Sequence, residues 1–359
     1  ADLVRALSRL RYPRERLTIA LIAEAVDTET IAAIKAIRLP SVFRLVVVPD
    51  VAPRTKPRAL QYALSLFPSD LVTVYDAEDR PHPRQLIEAA QTFATGPSRL
   101  ACLQSPLVID TVGAGSTWIS RQFAVEYDGL FRRVLPVLAN LGIPIPLGGT
   151  SMHIKRAALD EIGGWDPYNV TEDADLGMRL ARFDYQTGCL ALPTYEEAPL
   201  SVRAWIRQRS RWLKGWMQTW FVHMRAPLTF WREAGPKGFL ALNGFVIGSV
   251  IAAIAYPVSV VAVVLGMLGF SSLFADRSFW GDLWLAAFML AFLCGLGASL
   301  WLVAVSAART GVLRRGDLVL TLAYWALLLP ALIRAVRELI VAPHFWQKTT
   351  HGLARRPRR

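Results

Sequence analysis

Tyr168-Asn169-Val170-Thr171-Glu172-Asp173-Ala174-Asp175-Leu176-Gly177 packs four acidic or amide side chains into seven residues. It follows Gly163-Gly164-Trp165-Asp166-Pro167, whose glycines and proline mark a tight connection. Ala174 to Phe183 then reads as a short helix, and acidic groups in a first helical turn suit the positive end of its dipole. Taken alone, an acidic N-cap is the simpler account of Thr171-Glu172-Asp173, with Asp175 capping the helix. Two other stretches change the odds. Tyr75-Asp76-Ala77-Glu78-Asp79 closes an apolar, strand-like run upstream, and Gln208-Arg209-Ser210-Arg211-Trp212 lies in a helix-like run downstream.

Working outward, strands and helices alternate. Residues 1–11 read as an amphipathic helix, and Leu17 to Ala23 as an apolar strand ending at Glu24-Ala25-Val26-Asp27. A helix over 28–37 leads to a Val/Leu-rich strand over 43–48, of the kind buried in a parallel sheet. The pattern continues with a helix over 58–67, a strand over 71–75, a helix over 86–95 and a strand over 101–105. Such alternation implies an α/β sheet, whose ligands bind beyond the carboxyl ends of the strands. Glu24/Asp27 and Asp76/Glu78 both fall there. After a helix over 117–138, the loop Ile143 to Ser151 is rich in proline and glycine and leads towards the acidic stretch.

The chain is 53% hydrophobic with a formal charge of +12, and its apolar excess lies beyond Lys237. Ser201 to Phe221 places tryptophans on one side and Arg203, Arg207, Arg211 and Lys214 on much of the rest. That pattern suits a helix lying in a membrane interface. Three apolar segments follow, at about 239–270, 283–308 and 318–341, each long enough to span a bilayer, since roughly 20 apolar residues suffice. The basic loop Arg309 to Arg315 is expected in the cytosol, and Asp276-Arg277 is not markedly basic. The charge rule then wants both ends of the third segment inside. Either Pro330 bends it into a re-entrant or interfacial hairpin, or another span is miscounted; the bend is the reading adopted.

Lipid headgroups account for most of the basic charge, including Arg355-Arg356-Pro357-Arg358-Arg359, and no nucleic-acid-binding module accompanies it. Cys102, Cys189 and Cys294 lack metal-ligand spacing and read as reduced, buried packing residues; His82 and His153 read as structural. No secretory signal pattern opens the sequence, so nothing argues for export of the polar half.

Asp76 and Glu78, one residue apart at a strand end, suit an oxygen-ligand site for Mg2+ or Mn2+, with Asp79 an alternative to Glu78. The alternative reading is a polar strand exit ahead of Pro81-His82-Pro83.

The ordered set of Asp76-Ala77-Glu78, Thr171-Glu172-Asp173 and Gln208-Arg209-Ser210-Arg211-Trp212 resembles the processive branch of family-2 glycosyltransferases, relatives of cellulose and hyaluronan synthases. The resemblance runs from about Leu10 to Gly352, where Phe345 to Gly352 looks like a tail signature of bacterial members. It implies a GT-A-like (Rossmann-like) nucleotide-sugar domain over 1–198, amphipathic interfacial helices over 199–237, about three transmembrane helices over 238–342, and a basic cytoplasmic tail over 343–359. It makes Asp173 the general base of an inverting displacement and Glu172 an orienting neighbour. By the same resemblance Gln208 and Arg211 are expected to contact the diphosphate, and Trp212 to stack on the acceptor sugar. Glu24, Asp27 and Lys56 belong to the nucleotide-sugar side; Gly149, Thr150 and Trp165 belong to the acceptor side.

There are departures. Glu78 stands where the family usually has Asp, and Val26 where another acid is expected. The family normally opens with a strand ending in a Pro-x-x-Asn/Asp-Glu turn, and this sequence starts beyond it. Either it is a piece of a longer chain or its donor site lacks that part. The implied activity is metal-dependent hexosyl transfer from a UDP-sugar to a growing exopolysaccharide. It would take place at a bacterial inner membrane, with the catalytic domain cytosolic and accessory synthase subunits as partners. Single-sugar transfer to a lipid carrier and a non-catalytic scaffold are the rivals.

Overall fold

The computed structural model describes residues 2–110, 115–270 and 278–343. The stretch at 345–352, nearly all of the basic tail and the Asp276-Arg277 connection lie outside the described residues.

Helix α1 (Asp2–Leu7) precedes strand β1 (Ile19–Glu24), α2 (Thr28–Lys35), β2 (Phe43–Val48), α3 (Lys56–Leu66) and β3 (Leu71–Val74), close to the spans their hydrophobic patterns predict. Strand β4 (Arg80–Pro81), α4 (Gln85–Thr95), β5 (Leu100–Gln104) and β6 (Leu107–Ile109) lead to α5 (Trp118–Gly129) and α6 (Leu135–Asn140). A π-helical turn at Leu130–Val134 joins those two helices. Strand β7 (Met152–Lys155), α7 (Arg156–Glu161), α8 (Glu172–Arg182), β8 (Gln186–Cys189) and β9 (Thr194–Glu196) complete the polar half.

Strands β1 and β2 pair in parallel, from Ile19 opposite Phe43 to Glu24 opposite Val48. Burial of β2 is one-sided, however, with Arg44 and Val47 exposed. The larger sheet has the order β3-β7-β5-β8, and β7 runs antiparallel to both neighbours. A small sheet, β4-β9-β6, flanks it. The architecture is therefore a mixed sheet rather than the wholly parallel one that alternation suggests. Among the described residues no ladder joins β1 to β3; a cavity of about 1200 Å3 runs between them. The main core packs Cys102, Met152 and Ile154 of the sheet against Phe123 and Tyr127 of α5 and Leu176 and Leu180 of α8.

The apolar half comprises α9 (Val202–His223), α10 (Pro227–Leu240), α11 (Ile247–Leu265), α12 (Phe279–Thr310), α13 (Asp317–Ala326) and α14 (Leu328–Val341). Among the described residues, three helical stretches are long and apolar enough to cross a membrane: Pro227–Leu268, Phe279–Thr310 and Asp317–Val341.

Three expectations need correction. Pro330 makes no hairpin: Leu327, between α13 and α14, keeps a right-handed helical φ of −65° and ψ of −16°. Proline removes one backbone donor from the ladder, and the result is a local break rather than a reversal. Helix α9 does not lie bare in an interface. Trp205, Leu213 and Met217 join one core with Ala331, Leu332 and Ala335 of α14, and Arg209, Ser210, Lys214 and Thr219 are buried too. An amphipathic stripe fits a second helix as well as it fits lipid. Finally, only Cys102 is fully buried, and Cys294 is exposed on the apolar face of α12.

Candidate active site

The residues singled out for donor and acceptor, together with Asp76 and Glu78 for the metal, line the same cavity, and Asp79 does not. Glu24 ends β1, Lys56 begins α3, and Asp76 and Glu78 follow β3. Gly149 and Thr150 precede β7, Glu172 and Asp173 open α8, and Gln208, Arg211 and Trp212 come from α9. Trp165 is buried at its wall. Asp27 also lines it, yet accepts from the Thr30 N–H at 3.1 Å as the cap of α2.

Lys56 ties the centre together. Its ammonium donates to Asp76 Oδ1 at 2.5 Å and to the Gly149 carbonyl at 2.7 Å, and lies 3.8 Å from Glu172 Oε1. Burial opposes its charge, but the carboxylates of Asp76, Glu172 and Asp173 outweigh burial and hold its pKa above the ordinary lysine value. Gly149 has a φ of 76°, and a Cβ there would lie 2.7 Å from Asp173 Oδ2. Glycine thus permits both the left-handed turn and the close approach to the carboxylate.

Asp173 Oδ1 accepts from the Ala174 N–H at 2.7 Å, so the acid does sit in a first helical turn. Burial pushes its carboxyl up to about 6, against that hydrogen bond and the Lys56 charge. Glu172 is pushed up to about 7 by burial, with Lys56 opposing. Asp175 is not a cap. It accepts from Arg179 Nε at 2.7 Å and lies 3.1 Å from His223 Nε2, tying α8 to α9. Gly215 of α9 allows the same approach, since a Cβ there would fall 2.3 Å from Thr171 Oγ1.

Asp79 is buried and accepts from the Asp76 N–H at 2.7 Å and from the Thr150 hydroxyl. It braces the loop, which leaves Asp76 and Glu78 as the carboxylates of this short stretch that line the cavity. Among the described residues no cluster of three or more His, Cys, Asp or Glu forms a metal cage. Two carboxylates at a cavity wall nevertheless fit an ion that keeps its other positions for water and phosphate oxygens. His153 is structural: Nδ1 lies 2.9 Å from Thr73 Oγ1 and Nε2 3.3 Å from Ser105 Oγ.

On α9, Trp212 is held from behind. The Arg209 guanidinium stands 4.5 Å from its ring centre and 5.1 Å from that of Trp205. Arg209 donates to Glu126 Oε2 at 2.5 Å, and the Tyr324 hydroxyl of α13 donates to the same oxygen. Trp205 Nε1 in turn donates to the Tyr324 hydroxyl at 2.9 Å. Two buried polar atoms on residues lining the cavity, Trp165 Nε1 and Gln208 Oε1, have no hydrogen-bond partner among the described residues. Buried polar groups of this kind suit a bound ligand.

Tyr127 and Glu196 also line the cavity and were not foreseen. Burial, with Asp79 and Asp76 nearby, pushes the Glu196 carboxyl well above its usual range. The Glu196-Glu197 doublet is visible in the sequence, but only the pairing of β9 with β6 carries it to the site.

Residues 71–336 match the profile of glycosyl transferase family group 2, about three-quarters of the chain and all of the site from β3 onward. The chain belongs to that family. This family-2 glycosyltransferase is 28% identical over 228 residues to a beta-monoglucosyldiacylglycerol synthase of Synechocystis, covering 62% of the chain and 46% of the relative. It is 29% identical over 158 residues to a cellulose synthase catalytic subunit of Xanthomonas axonopodis pv. citri, covering 44% and 22%. The aligned part thus spans about half the length of the first relative or less. A mannosyltransferase from Pyrobaculum calidifontis, solved in complex with GDP-Man and Mn2+, superposes with a TM-score of 0.60 at 18% identity, covering 95% of this chain and 84% of that one. That likeness supports a GT-A-like α/β fold for the transferase.

Proposed function

We propose that the transferase moves a hexosyl group from a UDP-sugar to an acceptor hydroxyl at a membrane face, with inversion at the anomeric carbon. The observation that carries this reading is the half-buried Asp173 carboxylate beside Gly149, in the cavity that also holds Asp76, Gln208, Arg211 and Trp212. Asp173 takes the proton of the acceptor hydroxyl as its oxygen bonds to the anomeric carbon and the bond to the diphosphate breaks. One carboxylate base and no covalent intermediate give inversion. Arg211 and Gln208 hold the leaving diphosphate, Arg211 by its forked donors. Glu172 and Lys56 orient the base and Asp76. A divalent cation held by Asp76 and Glu78 would neutralise charge building on the leaving group. Trp212 offers its face to the acceptor, held in place by Arg209.

Chain extension of a polysaccharide is the first reading for the acceptor, because Gln208, Arg211 and Trp212 line the cavity together. Single transfer to a glycerolipid is the second, favoured by the wider coverage of the diacylglycerol glucosyl synthase. Sizing the radiolabelled product in membranes decides between them. Material of many sugars supports extension, whereas one sugar on an organic-soluble lipid contradicts it.

A further inference from the structure

The second apolar helix ends on an arginine cluster that the transfer chemistry does not use. The π-helical turn Leu130–Val134 follows α5 directly and turns Arg132 and Arg133 onto Asp128, at 3.8 and 4.0 Å. Arg309, in the last turn of α12, reaches the same carboxylate at 3.1 Å. Helix α12 arrives there over Gly129, where a Cβ would lie 3.1 Å from Leu302 Cγ and 3.3 Å from Ser306 Oγ. Asp128 is 7% exposed, while Arg132, Arg133 and Arg309 keep 22, 31 and 50% of their side chains open. Among the described residues, three guanidinium groups face one carboxylate. Asp128 Oδ2 and Arg133 Nε are buried without a hydrogen-bond partner. Burial, and after it the neighbouring Arg309 charge, pulls Arg132 below its ordinary value.

The depth of the cluster says what fills it. The apolar window of α12 has no residue buried inside the protein, and Arg309 follows the apolar run at 283–308. A span ending there sets Arg309 at the level of the lipid phosphates. We propose that Arg132, Arg133 and Arg309 form a site for the phosphate of an anionic glycerophospholipid. The inference rests on α12 as a membrane span and is independent of the transfer chemistry. Arginine forks match phosphate oxygens, and each arginine near an anionic surface contributes about fivefold in binding.

The test uses the full chain in nanodiscs of phosphatidylcholine with a minority of phosphatidylglycerol, and counts lipids retained after transfer to detergent. Wild type is expected to retain phosphatidylglycerol preferentially. Arg132→Gln/Arg309→Gln loses that preference by an order of magnitude, and an exposed control, Arg14→Gln, keeps it. Asp128→Asn removes only negative charge and raises retention, a gain that misfolding does not produce. Equal enrichment in wild type and the double variant overturns the proposal. Displacement of the lipid by millimolar inorganic phosphate also overturns it, by making the site one for free anions.

Discussion

At the residue scale the account depends on a carboxylate that is buried enough to be basic and open enough to reach substrate. Asp173 has both properties because its neighbour across the cavity is a glycine. Gly149→Ala forces a side chain to within 2.7 Å of Asp173 Oδ2 and strains a φ of 76°. We expect it to lower turnover at least a hundredfold, the scale of losing a positioned base, while the protein still inserts into membranes; UDP release per milligram of membrane protein checks this. The raised carboxyl also fixes a pH dependence. Asp173 serves as a base only when ionised, so kcat/KM should fall as pH drops through about 6. Its stability term runs the other way. The folded state holds this proton more tightly than the unfolded chain, so the group's contribution to stability grows over the same descent. Parallel rate and thermal-unfolding profiles test the opposed signs. The motif residues were legible because each is a charged or aromatic side chain in a fixed short spacing. Glu126, Arg209 and Gly215 were not legible as a set, since their roles arise only when α5, α9 and the Thr171 turn meet.

At the element scale the two halves of the chain are joined by a buried ion pair. Arg121 of α5 donates to Asp317 of α13 through Nε at 2.6 Å and Nη2 at 2.8 Å, with side-chain exposures of 9% and 4%. Gln122 extends the join by donating to Thr321 Oγ1 at 3.0 Å. Asp317→Ala leaves a buried guanidinium unpaired and should destabilise the protein by about 3–5 kcal/mol. The apolar replacement Arg121→Met/Asp317→Leu should recover most of that loss in thermal unfolding. The elements expected in the polar half from β1 to β5 were legible to within about two residues, whereas the first apolar helical stretch, Pro227–Leu268, begins well before the expected 239. Strand β7 was not: it has four residues, follows a proline- and glycine-rich loop, and takes its direction from its neighbours β3 and β5. The covering of α9 by α14 was also hidden, because a stripe of tryptophan, leucine and methionine does not say whether lipid or protein completes it.

At the scale of the molecule, an α/β nucleotide-sugar fold stands on three apolar helices. That division was plain from where the hydrophobic residues begin. The separation of the β1–β2 pair from the larger sheet was not, because hydrogen-bonded order is a long-range property. The central claim is that Asp173, supported by Asp76 and Glu78, drives transfer from a UDP-sugar. The most direct measurement is UDP release from membranes holding the wild-type chain or Asp173→Asn, over a panel of UDP-sugars with and without EDTA. The account predicts release with a preferred sugar, lost on chelation and restored by Mg2+ or Mn2+, and lowered roughly a hundred- to ten-thousand-fold by the substitution. Equal release from wild type and variant with every sugar would contradict it.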